Sequence, residues 1–398
     1  GGLGNDSLVG GDDATWDTVS YEAGLGTSGA VHVNLGAGFA SGADGDDVLV
    51  GFERVIGSDF DDTLIGSTGS NDLEGRAGND SIVGGGGNDK AFYWITSGSG
   101  VGVHVSLADG RAYQDGWGGV DTLVGISQIV SSLYNDTLVG NAADNMFRTY
   151  TGNDSINGGA GLDQVVYDFS ETAVNVNLSA STGTATGKSY TQSGVTLHGT
   201  DTLEGIELVV GSNHNDTLTG STRDTFEMFE GGKGNDTIDG GAITTANNGN
   251  RASYQNANGS VTVDLQSGTA TGADGSDKLI NINQIRGSNS ADSLYGSNAS
   301  AYTEFFEGRG GNDFIDGRGG TDVVRYDAAT GPVNVDLAGL DGGARGGAAD
   351  GQGGFDTLVG IEGIQGTAYN DTLIGGHAQG GVVLTDGLIE FFRDQLLQ

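Results

Sequence analysis

The sequence has no cysteine, one proline and few basic residues, and these shortages exclude several classes of protein. Disulfides cannot brace the fold. Lys and Arg total 16 against 53 Asp and Glu, a formal net charge of −37, so nucleic acid and anionic membranes are poor partners. No apolar run is long enough for a membrane-spanning helix. Because the sequence starts at a glycine without a signal peptide, we expect a piece of a longer polypeptide or a processed product.

Glycine, by contrast, is abundant in the sequence. It supplies 77 of the 398 residues, and each glycine loses more conformational freedom on folding than any other residue. A compact chain of this charge also repels itself. Bound divalent cations would offset both effects, because a ligand that binds only the folded form stabilises it. We therefore expect cations to decide whether the chain folds.

The segment Gly231–Asp239, GGKGNDTID, carries the pattern that the rest of the chain repeats. Glycines at places one, two and four predict positive φ angles that turn backbone carbonyl oxygens inward, and the Asp at place six adds a carboxylate. Calcium takes six to eight oxygen ligands, so two stacked turns are needed for one ion. The last three residues predict a short strand with one inward apolar side chain.

Further copies begin at Gly1, Gly75, Gly84, Gly158, Gly308 and Gly317, and a looser copy begins at Thr149. So many copies favour calcium turns over glycine-rich turns in an ordinary β protein. The place-six aspartates are the predicted metal ligands, and they are Asp6, Asp80, Asp89, Asp154, Asp163, Asp236, Asp313 and Asp322.

These copies resemble the RTX, or hemolysin-type calcium-binding repeat, family, as the repeat region of a type I secreted protein. The resemblance implies a parallel β-roll or β-helix, several bound Ca²⁺ ions, and export by a type I system from a Gram-negative bacterium. It also implies folding on contact with calcium outside the cell, hence a secreted or cell-surface protein. Strict nonapeptides cover only part of the chain, so β-roll geometry is not implied throughout.

A longer block, D-T-L-x-G-I-E-x-I-x-G-S-x-x-N-D-T-L-x-G, recurs in degraded form from Asp47, Asp121, Asp201, Asp277 and Asp356. Successive copies start 74 to 80 residues apart. The chain is therefore predicted to contain five units of about 77 residues. Their approximate bounds are 1–74, 75–148, 149–230, 231–307 and 308–386.

Each unit also contains a V-x-V-x-L run, such as VHVNL from Val31, whose alternation predicts a half-buried strand. Eighteen residues separate Asp62 from Asp80 and Asp136 from Asp154, which matches one turn of two nonapeptides. The fold class predicted is all-β, a calcium-stabilised parallel β-roll or β-helix solenoid running continuously over residues 1–386. Five small antiparallel sandwiches in tandem are the alternative, but no linker separates the units.

A second tier of metal candidates comes from the later Asp of the D-T-L block. Those residues are Asp62, Asp136, Asp216 and Asp371. Their turns lack one of the motif's glycines, so turn capping is an equally good explanation.

The repeat pattern also predicts the surroundings of several aromatic and histidine residues. A Tyr at the same place in each unit predicts a stacked column for packing, with a sugar-binding face as the alternative. His32 and His104 are predicted to be exposed. Trp16, Trp94 and Trp117 could form an apolar patch for a preceding segment, or simply pack.

Residues 387–398, GLIEFFRDQLLQ, drop glycine and place apolar residues at helical spacing, with Asp386 as a cap. We predict a short C-terminal helix that caps the solenoid or forms part of a secretion signal.

Enzymatic motifs such as H-E-x-x-H and G-x-S-x-G are absent, and GTATGKS from Gly183 lacks the setting of a phosphate loop. The sequence therefore favours a non-enzymatic, calcium-binding extracellular rod in a surface layer, fibre or adhesin, with self-assembly or cell-surface polysaccharide as possible partners. One alternative is the C-terminal module of a secreted protease, lipase or alginate-modifying enzyme whose catalytic domain lies outside this chain. Another is a polysaccharide-binding module.

Overall fold

The structure is a computed structural model that describes residues 2–11, 16–22, 28–94, 100–223, 225–244, 249–337, 346–349, 351–375, 382–385 and 388–391. Within these residues the chain is all-β, as the sequence predicts, with 41 strands and no helix. No helix in this part of the chain is long and apolar enough to cross a lipid bilayer.

The strands are short, and most have three to five residues. The first 21 are β1 Ser7–Val9, β2 Thr18–Ser20, β3 Val31–Asn34, β4 Phe39–Gly42, β5 Gly45–Val50, β6 Arg54–Ile56, β7 Thr63–Ile65, β8 Asp72–Glu74, β9 Ser81–Val83, β10 Lys90–Phe92, β11 His104–Ser106, β12 Arg111–Gln114, β13 Asp121–Val124, β14 Gln128–Val130, β15 Thr137–Val139, β16 Met146–Arg148, β17 Ser155–Asn157, β18 Gln164–Val166, β19 Asn175–Asn177, β20 Gly183–Gln192 and β21 Val195–Glu204. The remaining strands are β22 Leu208–Val210, β23 Thr217–Thr219, β24 Phe226–Glu230, β25 Thr237–Asp239, β26 Gly249–Ser253, β27 Val261–Asp264, β28 Thr269–Gly272, β29 Gly275–Ile280, β30 Gln284–Arg286, β31 Ser293–Tyr295, β32 Thr303–Glu307, β33 Phe314–Asp316, β34 Thr321–Arg325, β35 Asn334–Asp336, β36 Gly346–Ala349, β37 Phe355–Val359, β38 Gly363–Gln365, β39 Thr372–Ile374, β40 Val382–Thr385 and β41 Leu388–Phe391.

Consecutive nonapeptides alternate between two sheets. Strands β6 to β10 start at nine-residue steps. Within this run β6 pairs in parallel with β8, β7 with β9 and β8 with β10, as Thr63 does with Ser81 and Arg54 with Asp72. Two strands therefore make one turn of 18 residues, which confirms the predicted parallel roll. The middle residue of each short strand points inward, and Leu64, Leu73 and Ile82 are fully buried.

The V-x-V-x-L runs are half-buried strands, as predicted, and those from Val31, Val103, Val261 and Val333 also begin an antiparallel detour. Val33 of β3 pairs in parallel with Leu64 on one side and antiparallel with Ala40 of β4 on the other. Strand β4 then pairs antiparallel with β5, and the chain rejoins the parallel stack. The connection after this V-x-V-x-L run is thus itself a strand, Phe39–Gly42. Backbone hydrogen bonds hold it despite its weak β propensity.

The chain divides into two compact units, one of residues 1–172 with 181–208 and one of residues 173–180 with 209–398. In the first unit one sheet runs β1-β5-β4-β3-β7-β9-β13-β12-β11-β15-β17-β21-β20, and the other runs β2-β6-β8-β10-β14-β16-β18. In the second unit the corresponding orders are β19-β23-β25-β29-β28-β27-β31-β33-β37-β36-β35-β39 and β24-β26-β30-β32-β34-β38-β40-β41. The bounds of the five repeats and the continuity of the solenoid stay predictions.

The predicted C-terminal helix is wrong where the structure describes it. Leu388–Phe391 is a strand that pairs antiparallel with Val382–Thr385. An isolated helix of about 12 residues is marginal in water, whereas a strand edge supplies backbone hydrogen-bond partners along one side of an added strand. The proposed cap Asp386 and residues 392–398 lie outside the described residues.

Candidate metal centre

The nonapeptide turns have a backbone that few residues other than glycine adopt. Gly232 and Gly234, at places two and four of their copy, have φ angles of 89° and 129°. Positive φ recurs at both places in the other strict copies that the structure describes, even where place two holds an arginine, at Arg76, Arg309 and Arg318. This confirms the predicted left-handed turns at two of the three glycine places.

Glycine at place one is needed for a different reason. Gly231 does not have a positive φ angle, so the sequence prediction is wrong for this place. Instead, a Cβ on Gly231 would collide with Oδ2 of Asp236. Gly75 and Gly308 stand in the same relation to Asp80 and Asp313. The place-one glycine therefore makes room for the carboxylate five residues later.

The aspartates form a ladder in which each backbone N–H donates to the carboxylate of an Asp on the next turn. Asp216 N–H donates to Asp236 Oδ1 at 2.8 Å, and Asp236 N–H donates to Asp277 Oδ1 at 3.0 Å. The same ladder recurs in Asp62, Asp80 and Asp121, in Asp136, Asp154 and Asp201, and in Asp292, Asp313 and Asp356. Asp6 N–H likewise donates to Asp47. The predicted ligands therefore lie in columns.

In these turns Oδ1 of the place-six Asp accepts a backbone hydrogen bond, but Oδ2 often accepts none. Asp236 is only 2 % exposed, and its Oδ2 atom is buried with no hydrogen-bond partner among the described residues. The Oδ2 atoms of Asp6, Asp80, Asp89 and Asp163 share this condition. A buried carboxylate oxygen without a donor is costly, so these atoms are suited to a positively charged partner.

A second column is more varied in composition. Asn71 N–H donates to Asp89 Oδ1 at 2.7 Å, Asp163 N–H donates to Glu207 Oε2 at 3.2 Å, and Asp322 N–H donates to Glu362 Oε2 at 2.9 Å. Asn and Glu therefore occupy some of the positions that are all Asp in the ladders described above, which form the first column. Within each compact unit, the predicted place-six ligands are divided between an Asp ladder column and this mixed column.

The carboxylates of the columns lie close enough to disfavour one another's charge. Burial, with the charges of Asp121, Asp62 and Asp115, raises the pKa of Asp80 to about 8. Burial, with Asp277 and Asp216, raises the pKa of Asp236 to about 7. In the second column burial, with Glu304 and Glu362, raises the pKa of Asp322 to about 8. A bound divalent cation would remove this penalty.

The second-tier aspartates have quite different surroundings. Asp216 Oδ1 accepts from Val174 N–H at 2.7 Å and from the Ser212 hydroxyl at 2.8 Å, and its Oδ2 accepts from Ser212 N–H. Asp62, Asp136 and Asp371 each accept the equivalent three bonds, two from a Ser or Thr of their own turn and one from the first Val of a V-x-V-x-L run. Both oxygens are therefore occupied, which favours the capping explanation. Their assignment as metal ligands stays a prediction.

The first Asp of each D-T-L block is an important residue that the sequence analysis did not select. Asp121 accepts from Asp80 N–H through Oδ1 and from the Tyr93 hydroxyl through Oδ2. The equivalent tyrosines, Tyr21, Tyr167, Tyr254 and Tyr326, each donate to their own Asp. The fixed place of one Tyr and one leading Asp in all five units was the available signal. The tyrosines thus have a hydrogen-bonding role besides packing.

The remaining candidates lie elsewhere. His32 and His104 are exposed, as predicted. Trp94 packs on Tyr150 with ring centroids 3.9 Å apart, whereas Trp16 and Trp117 lie against the cations of Lys90 and Arg76. The apolar patch for a preceding segment stays a prediction.

The donor set suits a hard cation. Among the described residues no three Asp, Glu or His side chains converge as a metal site, so carboxylates alone would not complete a coordination shell. Backbone carbonyls lie beside them, since a Cβ on Gly84 would be 2.5 Å from Gly125 O and 2.8 Å from Asp89 Cβ. Mixed carboxylate and carbonyl oxygens are the ligands that calcium prefers. The residues therefore fit calcium.

Comparison with known families agrees with this geometry. The model of the RTX calcium-binding nonapeptide repeat (4 copies) matches residues 56–91, 131–165, 224–242, 298–329 and 360–377. These stretches cover about a third of the chain and include all the predicted ligands except Asp6 and Asp216. Comparison with curated proteins gives no match.

Proposed function

The chain carries RTX calcium-binding nonapeptide repeats in five regions, and from this premise we propose that bound calcium ions hold its stacked turns together. The observation that carries the proposal is the buried Oδ2 of Asp80 and of Asp236, which has no hydrogen-bond partner among the described residues. Calcium would supply the missing positive charge, with the carboxylates and neighbouring carbonyl oxygens as its ligands.

Calcium would also offset two general weaknesses of the chain. Its net charge of −37 opposes compaction, and its three-residue strands, such as β7, β8 and β9, fully bury only the central side chain. Each ion bound only to the folded form would add stability by mass action, about 1.4 kcal/mol at a tenfold excess over Kd. Several such ions would contribute as much as the whole stability of an ordinary domain, which is about 5–15 kcal/mol.

The biological role that we propose is structural or interactive, as part of a surface layer, fibre or adhesin. Its support is the recurrence of one Asp ladder and one Tyr–Asp pair along the chain, and the lack of catalytic sequence motifs. In this proposal the chain has no catalytic site of its own. RTX repeats are typical of secreted proteins, and we extend this to export from a Gram-negative cell by a type I system.

The calcium content of two matched variants tests the metal assignment. Asp236→Asn removes the charge of a buried ligand, and Asp46→Asn makes the same change at an exposed position. After equilibrium dialysis and elemental analysis, Asp236→Asn should hold about one calcium fewer than the wild type, and Asp46→Asn should hold the same number. Equal calcium in all three proteins, or none in any, would reject the assignment.

A further inference from the structure

One ladder contains a cation of its own. The Lys188 ammonium donates to Asp154 Oδ2 at 2.6 Å and lies 2.5 Å from Asp201 Oδ1. The lysine side chain is 1 % exposed, and neither carboxylate is exposed at all. Asp154 is a place-six Asp, and its Oδ2 is the atom that is buried without a partner in Asp80 and Asp236.

A β-bulge directs Lys188 inward. Strand β20 pairs antiparallel with β21, and the register shifts between Thr186 and Ser189, so that Gly187 and Lys188 together face Gly199. Gly187 has a φ of 89°, the left-handed conformation that a glycine supplies at the first position of such a bulge. The extra residue reverses the side-chain alternation and places Lys188 on the buried side.

The other ladders keep the same geometry without this cation. The backbone N–H of Asp154 donates to Asp201 Oδ1 at 3.0 Å, and the bonds from Asp80 to Asp121 and from Asp236 to Asp277 have this length too. Lys188 is therefore added to an arrangement of aspartates that the other ladders share.

The neighbouring repeat holds the opposite charge at the same position. Gly119 and Gly199 each stand two residues before the first Asp of a D-T-L block. A Cβ on Gly199 would lie 2.7 Å from Lys188 Cε, and a Cβ on Gly119 would lie 2.7 Å from Asp115 Oδ2. Asp115 is fully buried, and its Oδ2 has no hydrogen-bond partner in the part of the chain that the structure describes. The same position beside the ladder is thus occupied by the Lys188 ammonium in one repeat and by the Asp115 carboxylate in the other.

We propose that Lys188 is a tethered substitute for a metal ion, so that the turn joining Asp154 to Asp201 is closed without calcium. This inference rests on the proposed function, because it assumes that calcium occupies the ladders that lack such a lysine. It separates Asp154 from the other place-six aspartates, with which the sequence alone groups it. It also gives a role to the GTATGKS segment, which places the lysine in the bulge.

Lys188→Met tests the proposal, since methionine keeps an unbranched apolar side chain and removes the ammonium. Two buried carboxylates then face each other without a cation, so the variant should bind one calcium more than the wild type. Its unfolding midpoint should fall at limiting calcium and recover as calcium rises. Lys278→Met, at an exposed lysine, is the matched control and should change neither quantity. A Lys188→Met variant that binds no additional calcium, and whose loss of stability calcium does not restore, would overturn the proposal.

Crystals of the calcium-saturated wild type provide a second measurement if Lys188→Met does not fold. Anomalous scattering should locate an ion at Asp236 Oδ2 and none between Asp154 and Asp201, where Lys188 should remain. An ion at both places, with the lysine displaced, would overturn the substitution and leave the proposed function intact. No ion at any ladder would reject the proposed function, and the substitution would fail with it.

Discussion

The hydroxyl of Tyr93 donates a hydrogen bond of 3.1 Å to Oδ2 of Asp121, 28 positions further along the chain. Both residues are buried. Because Asp121 Oδ1 already accepts from Asp80 N–H, the tyrosine completes the hydrogen bonding of this carboxylate. The same pair recurs four more times, so every ladder ends at an Asp that a tyrosine satisfies.

Tyr93→Phe should destabilise the protein by about 1–3 kcal/mol, because it leaves a buried carboxylate oxygen without its donor. The midpoint of denaturant unfolding at saturating calcium measures this loss. Tyr369→Phe is the control, since Tyr369 is 53 % exposed and its substitution should change stability by less than about 0.5 kcal/mol. Equal midpoints for the two variants would show that the Tyr–Asp pair contributes nothing.

Gly231→Ala should destabilise the folded protein by about 1–3 kcal/mol, because the new methyl group would overlap Asp236 Oδ2 and force it to move. The variant should also need more calcium to reach half-maximal folding, as followed by circular dichroism. Gly375→Ala is the matched control, because a Cβ there would meet no described residue within 4 Å. If both variants folded at the same calcium concentration, the steric role of the place-one glycine would be wrong.

Ser212→Ala should lower stability by about 1–3 kcal/mol and leave the number of bound calcium ions unchanged. The Ser212 hydroxyl donates to Asp216 Oδ1 and accepts from His214 N–H, so its loss leaves buried polar groups with one bond fewer. Calcium content and unfolding midpoint should be measured together, with Ser181→Ala at an exposed serine as the control. Loss of a calcium ion in Ser212→Ala would instead indicate that the Asp216 turn belongs to a metal site.

The parallel part of the fold could be predicted because each nonapeptide encodes a turn and a strand by itself. The nine-residue steps from Arg54 to Lys90 follow directly from that pattern. The antiparallel detours could not, because strands such as Thr269–Gly272 consist of residues with little or no apolar surface and are held by backbone pairing. The C-terminal strand was missed for a similar reason, since its pairing with Val382–Thr385 outweighs a local helical pattern.

The candidate site shows the same division between local and non-local information. The place-six aspartates and their glycines form a local motif, so they could be selected from the sequence. The Tyr93–Asp121 pair joins residues on different strands, and the placement of Lys188 depends on a bulge in the pairing of two strands. Neither contact can be derived from a single nonapeptide.

The most direct test of the account is far-ultraviolet circular dichroism of the purified chain during a calcium titration that starts from excess chelator. We expect little β-sheet signal and no sharp thermal transition without calcium, because the buried carboxylates of the ladders then lack a counter-charge. Added calcium should produce a β-sheet spectrum and a cooperative transition whose midpoint rises with calcium concentration. A strong β-sheet spectrum and a sharp, calcium-independent transition in chelator would contradict the account.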